Sequence, residues 1–176
     1  RFARLRPTSG ELREMARLAA PIVLVNVGMQ LMGVVDSIML GRVSATDLAA
    51  GALGNFYFFV TSIVGVGILM ALDPVIAQAL GARDEVAVAR GVQRGVLITG
   101  AVAGAVMLLF LTAGPVLALL RQPPEVVPLA TGYVLWSIPG MLPFFAFNMI
   151  RQVLQAMKRL GPIVLAVCVS NVLNVF

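Results

Sequence analysis

The sequence predicts an all-α integral membrane protein with five transmembrane helices, the fifth cut short. Two observations carry this reading. Of 176 residues, 60% are hydrophobic and only 12% are charged, against about half and about a quarter in a soluble domain. The few charges also cluster, leaving long uncharged stretches between them. A soluble domain of this size cannot hide so much apolar surface, because small domains leave much of it exposed. A soluble enzyme and a disordered chain are therefore excluded. The single cysteine, Cys168, allows no intrachain disulfide, and the absence of histidine removes histidine metal sites and histidine-based catalysis.

The uncharged runs define the elements in order. Between Arg17 and Asp36 lie 18 uncharged residues, and between Asp47 and Asp73 lie 25. Arg94 to Arg121 encloses 26, Glu125 to Arg151 encloses 25, and 17 follow Arg159. A membrane crossing needs about 20 mostly apolar helical residues. Helices are thus expected at about 18–41, 47–81, 91–120, 125–157 and 162–176, after an N-terminal segment 1–17. The runs are too long for strands and do not alternate polar with apolar. Four similar runs follow the first, which sets it apart from a cleaved signal peptide.

Helix punctuation lies between the runs. Thr8-Ser9-Gly10-Glu11 and Ser44-Ala45-Thr46-Asp47 place an acid three residues after a hydroxyl, as in a capping box. Gly41 and Gly81 are expected to end helices in the left-handed conformation. Pro123-Pro124-Glu125 suits a helix start, and Pro74 is expected to kink the second helix by freeing a carbonyl near position 70.

The basic residues set orientation. Eleven of thirteen fall in the N-terminal segment, around the second loop (Arg83, Arg90, Arg94) or around the fourth (Arg151, Lys158, Arg159). Only Arg42 and Arg121 lie on the other side. The positive-inside rule makes the N-terminus cytoplasmic. The sequence pI of 10.7 then reports topology and not nucleic-acid binding. Tyr133 and Trp136 suit an aromatic belt at the outer interface.

Polar residues at membrane depth are the functional candidates. Asp36 sits late in the first helix, and intramembrane acids usually face a cavity or a partner. A carboxylate there can exchange protons or, with neighbouring carbonyl or amide oxygens, hold a hard cation. Its other reading is a hydrated acid near the interface. Asp73 precedes Pro74 and is structural, interfacial or directly functional. In the fifth helix Asn171 and Asn174 share a face at a spacing of three, and they either join helices or line a cavity. Asn26 and Gln30, four apart in the first helix, carry the same two readings. Tyr57, within Phe56-Tyr57-Phe58-Phe59, either stacks a flat cation or packs. Gly100 and Gly104 form a GxxxG that permits close helix approach. Gly65-Val66-Gly67 follows no strand and is no dinucleotide loop. No Walker motif or nucleophile elbow occurs, so neither ATP hydrolysis nor any other enzymatic reaction is expected.

Three stretches carry a resemblance. Leu18-Ala19-Ala20-Pro21 through Asp36-Ser37 to Asp47-Leu48 resembles the opening of the multidrug and toxic compound extrusion (MATE) transporters. Pro74 to Arg83 is similar to the end of their second helix, and Ser170-Asn171-Val172-Leu173-Asn174 to their fifth. The order and spacing match, and the resemblance covers essentially the whole chain. It implies twelve helices in two six-helix lobes and a secondary antiporter that exports drugs and organic cations in exchange for H⁺ or Na⁺. It needs no cofactor beyond that coupling ion. The chain would be most of the N-terminal lobe of a bacterial inner-membrane protein, with the C-terminal lobe as its missing partner. Asp36 matches the first-helix acid implicated in cation coupling, and Asn174 matches an asparagine near it. A Na⁺ site at Asp36 and Asn174 follows from the same match, with Asn171, Gln30, Asn26 and Tyr57 as cavity-lining candidates. Met32 stands where archaeal relatives have tyrosine, which points to the bacterial drug-efflux branch. Asp73 has no counterpart in the pattern. Two other readings are a lipid-linked oligosaccharide flippase of the same architecture and a non-transporting membrane assembly subunit. Few basic residues lie at membrane depth, which disfavours the flippase.

Overall fold

A computed structural model describes residues 9–175, with the side chains of Ser9, Glu14, Leu18, Asn174 and Val175 outside the description. Thr8, proposed as a cap, therefore falls outside it. The described residues are helical, with no strand among them. The elements are α1 (Ser9–Val43), α2 (Ala45–Met70), α3 (Leu72–Gly81) and α4 (Glu85–Phe110), then α5 (Ala113–Leu119), α6 (Val127–Trp136), α7 (Ile138–Ala156) and α8 (Gly161–Val175). Gly10–Val43, Ala45–Gly81 and Glu85–Phe110 are each long and apolar enough to cross a membrane. Val127–Trp136 and Ile138–Ala156 make a fourth such stretch, bent by 54°, and Gly161–Leu173 is a shorter apolar helix.

The uncharged runs do not reveal where the helices break. Breaks occur at Ala71, at Leu111–Thr112 and at Ser137. Each lies two to four residues before a proline: Pro74, Pro115 or Pro139. Proline has no N–H for the carbonyl four residues back, and its ring crowds that carbonyl. Hydroxyls add bonds to neighbouring carbonyls at two of the breaks. Thr112 Oγ1 donates to Leu109 O at 2.7 Å, and Ser137 Oγ to Tyr133 O at 2.8 Å. Pro21 and Pro143 sit inside unbroken helices, so proline alone does not decide a break.

Helix ends also differ from the glycine expectation. Helix α1 starts at Ser9, well before the apolar run, and continues past Gly41 to Val43. No described glycine has a positive φ. Arg83 (φ 56°), Arg121 (φ 53°) and Lys158 (φ 56°) take the left-handed positions instead. At the first of these turns Asp84 N donates to Ala79 O at 3.0 Å, closing the helix end. A cation just beyond a helix C-terminus also meets favourable dipole charge. Ser44 caps α2 as the sequence signal predicts, and Asp84 adds an N-cap that the sequence reading did not single out. Ser44 Oγ accepts from Asp47 N at 2.9 Å, and Asp84 Oδ1 accepts from Ala87 N at 2.8 Å. Helix α6 begins at Val127, after a single turn closed by Val126 N donating to Pro123 O at 2.9 Å.

The chain divides into two compact units. One comprises residues 37–158. In it α4 packs against α2, α3 and α7, and α6 packs against α2 and α5. Three glycines set the approach. A Cβ at Gly54 would stand 2.6 Å from Tyr133 Cδ1, and one at Gly65 would stand 2.5 Å from Val102 Cγ1 and 2.8 Å from Phe145 Cε1. At Gly95 it would stand 3.0 Å from Leu72 Cδ1 and 3.5 Å from Met149 Cγ. These levels order the helices: the α2–α3 and α6–α7 segments run one way and α4 runs the other. Arg151 and Lys158 thus lie toward the end that carries Arg83, Arg90 and Arg94. Rings join α2, α4 and α7 edge to face: Phe58 to Phe110 at 5.6 Å and to Phe144 at 5.2 Å. Gly100 and Gly104 face open space, so the GxxxG packs against nothing within this unit.

The other unit comprises residues 1–36 and 159–176. Its described helical parts are α1 up to Asp36 and α8. A Cβ at Gly28 would stand 2.6 Å from Val167 Cγ1 and 3.3 Å from Asn171 Nδ2. Helix α8 meets α1 there with no room for a side chain.

Candidate functional site

The polar residues of α1 divide by face. Pro21, Val25, Gly28, Met32 and Val35 form its covered or half-covered stripe. At about 100° per residue, Asp36 projects about 80° from Gly28, on the flank of that stripe, and about 12 Å further along the axis. Asn26 and Gln30 project about 160° away, on the opposite face. Both are exposed. Asn26 Nδ2 donates to Ile22 O of its own helix at 2.9 Å. Asp36 is exposed as well.

Helix α8 brings a matching stripe. Ile163 and Val167 are buried and Asn171 is half-buried. Asn171 Nδ2 donates to Val167 O at 2.9 Å. This donor is used locally, which leaves the amide oxygen as the group able to accept from, or coordinate, something else. Asn174 follows three residues later on the helix, but its side chain lies outside the described residues. The structure thus brings Asn171 against α1 at Gly28 and sets Asn26 and Gln30 apart from that contact.

Tyr57 belongs to the other unit and is buried in its core. Its hydroxyl donates to Leu109 O at 3.0 Å and lies 3.3 Å from Thr112 Oγ1. Its ring stands edge-on to Phe110 at 6.0 Å. This is packing, one of the two roles that the aromatic run allowed. Phe56 and Phe59 are exposed on the outer face. Asp73 occupies the first turn of α3, where an acid meets the positive end of the helix dipole, and the break before Pro74 creates that end. Its place is explained without any ligand.

Sequence reasoning passed over three buried polar groups. Ser62, Thr99 and Gln152 are 3%, 4% and 4% exposed. Single polar residues inside apolar runs gave no signal until packing showed which face was covered. No group of three or more acidic or cysteine side chains that could hold a metal occurs among the described residues.

These helices define a polytopic membrane protein whose spans are broken at prolines and joined by short basic turns. The chain belongs to the MatE family of membrane transporters: the family model matches residues 21–176. It is similar to Multidrug resistance protein MdtK of Cronobacter sakazakii, with 34% identity over 156 residues, covering 86% of this chain and 34% of that protein. The chain therefore spans about a third of the length of the curated relative it matches.

Proposed function

We propose that this chain is the greater part of the N-terminal lobe of a secondary active antiporter, which exports drugs or organic cations in exchange for H⁺ or Na⁺. The observation that carries the reading is its 34% identity to a multidrug resistance protein across 156 residues. The membrane is the bacterial inner membrane and the N-terminus is cytoplasmic. The gathering of Arg83, Arg90, Arg94, Arg151 and Lys158 toward one end of a three-span unit supports that orientation. The process is transport, not a chemical conversion, and it needs no cofactor.

In this mechanism Asp36 takes up the coupling ion from the outer side. Neutralising a carboxylate at membrane depth removes a large desolvation cost, so the two charge states favour different surroundings for α1. In this reading Asn174 supplies an amide oxygen to the same coupling site, and Asn171 lines the cavity. The ion drives export only through its different affinity for the drug-bound and drug-released states. The test is Asp36→Asn in the full-length protein. Drug resistance and drug-driven ion flux in liposomes, measured with and without a sodium gradient, should both vanish while expression persists. Undiminished efflux by this variant would overturn the mechanism.

A further inference from the structure

An open groove of about 450 Å³ runs between the α2–α3 break and the first half of α4. Its apolar wall includes Ile68, Leu72, Val75 and Ile98. Ala71, Ala79, Ala87 and Gly91 leave its floor shallow-sided and unfilled. The small side chains on both walls leave the gap between the α2–α3 segment and α4 open.

Arg90 and Arg94 also line this groove. They are four apart and so stand above one another on one face of α4. Both are exposed, and neither makes an ion pair with any described acid. Asp84, the third charged group of the lining, lies at the start of α4, where its carboxylate caps Ala87 N at 2.8 Å. The lining therefore keeps a net positive charge. Beyond Arg94 no charge follows on α4, so the two arginines mark the level at which the helix leaves the hydrocarbon. Headgroup phosphates lie at that level, and the apolar wall continues inward from it to Ile68 and Ile98.

We propose that this groove is a binding site for one anionic phospholipid. Its phosphate sits on Arg90 and Arg94, and an acyl chain runs inward along Ile68, Val75 and Ile98. Basic pockets between helices at a membrane surface suit such headgroups. A free phosphate would use the arginines and leave the apolar half of the groove empty, whereas a lipid uses both. The site requires only that the protein is embedded in a bilayer, and it is independent of the coupling mechanism above.

The test uses the full-length protein, purified in detergent with equimolar phosphatidylglycerol and phosphatidylcholine, with retained lipid counted by native mass spectrometry. The wild type should retain phosphatidylglycerol preferentially, and excess inorganic phosphate should not displace it. R90Q/R94Q should weaken that retention about 30-fold, the combined worth of two basic contacts at a membrane surface. R90K/R94K should preserve it, separating loss of charge from misfolding. Ala87→Leu should abolish it with both arginines intact, because the new side chain fills the groove. Equal retention of the two lipids, displacement by phosphate, or wild-type retention in either R90Q/R94Q or Ala87→Leu would overturn the proposal.

Discussion

The Tyr57 hydroxyl donates to the Leu109 carbonyl at 3.0 Å, across 52 residues of sequence. The acceptor lies at the α4–α5 break. Its regular helical donor is lost there, and Thr112 N at 3.0 Å and Thr112 Oγ1 at 2.7 Å substitute for it. Tyr57 is thus a tie from α2 to the broken end of another span. Removing only the hydroxyl, with Tyr57→Phe, should cost about 1 kcal/mol, the usual net worth of such a bond. Thermal unfolding of the full-length protein in detergent would measure the loss. Tyr57→Ala should cost about 3–5 kcal/mol, because it also empties a space in the core.

Glycines in this protein sort by what surrounds them, not by motif. Gly65→Ala would push a methyl against Val102 and Phe145 and should destabilise by about 1–3 kcal/mol. Gly104→Ala enters open space and should be neutral or stabilising by up to about 1 kcal/mol, the propensity gain in a helix interior. Comparing the two melting curves tests the distinction. Equal losses would mean that the GxxxG face is packed in the full-length protein.

Arg83 holds a left-handed backbone conformation (φ 56°) that glycine adopts without cost. Arg83→Gly should therefore stabilise the α3–α4 turn by roughly 1 kcal/mol, the cost of that conformation for other L-residues. The expected readout is a raised melting temperature with transport unchanged.

Ser44 is the only residue between α1 and α2, and its hydroxyl caps α2 through Asp47 N. Ser44→Ala should cost about 1 kcal/mol, as cap losses generally do. Ser44→Asp should recover most of it, and chemical denaturation of the three variants would show the order.

Orientation can be read directly. With Cys168→Ser as background, a cysteine at Arg83 should react with a membrane-impermeant thiol reagent only in inside-out vesicles. One at Arg121 should react only in right-side-out preparations. The reverse pattern would invert the topology proposed from the basic residues.

Much of this was legible in the residues themselves. A bilayer imposes a length and an apolarity on every crossing helix, so the intervals between Arg17, Asp36, Asp47, Asp73, Arg94, Arg121, Glu125, Arg151 and Arg159 reveal membrane helices without any knowledge of packing. The cap at Ser44 was equally local, because it depends on a side chain three residues from the amide it satisfies. The stretches around Asp36, Pro74 and Asn171 identified the family for the same reason: they are contiguous patterns.

Tertiary structure decided what depends on neighbours distant in sequence. Pro74, Pro115 and Pro139 break their helices, while Pro21 and Pro143 do not. The missing hydrogen bond is identical in each case, so only the surrounding packing and replacement donors can decide. Asn171 and Gln30 look alike as single amides in apolar helices, yet α8 presents Asn171 at Gly28 of α1, while Gln30 projects from the opposite side of α1. Arg90 and Arg94 read along the chain as orienting charges. Only the gap between the α2–α3 segment and α4 makes them the wall of a groove, because a cavity is a property of separate chain segments held apart and no single segment encodes it.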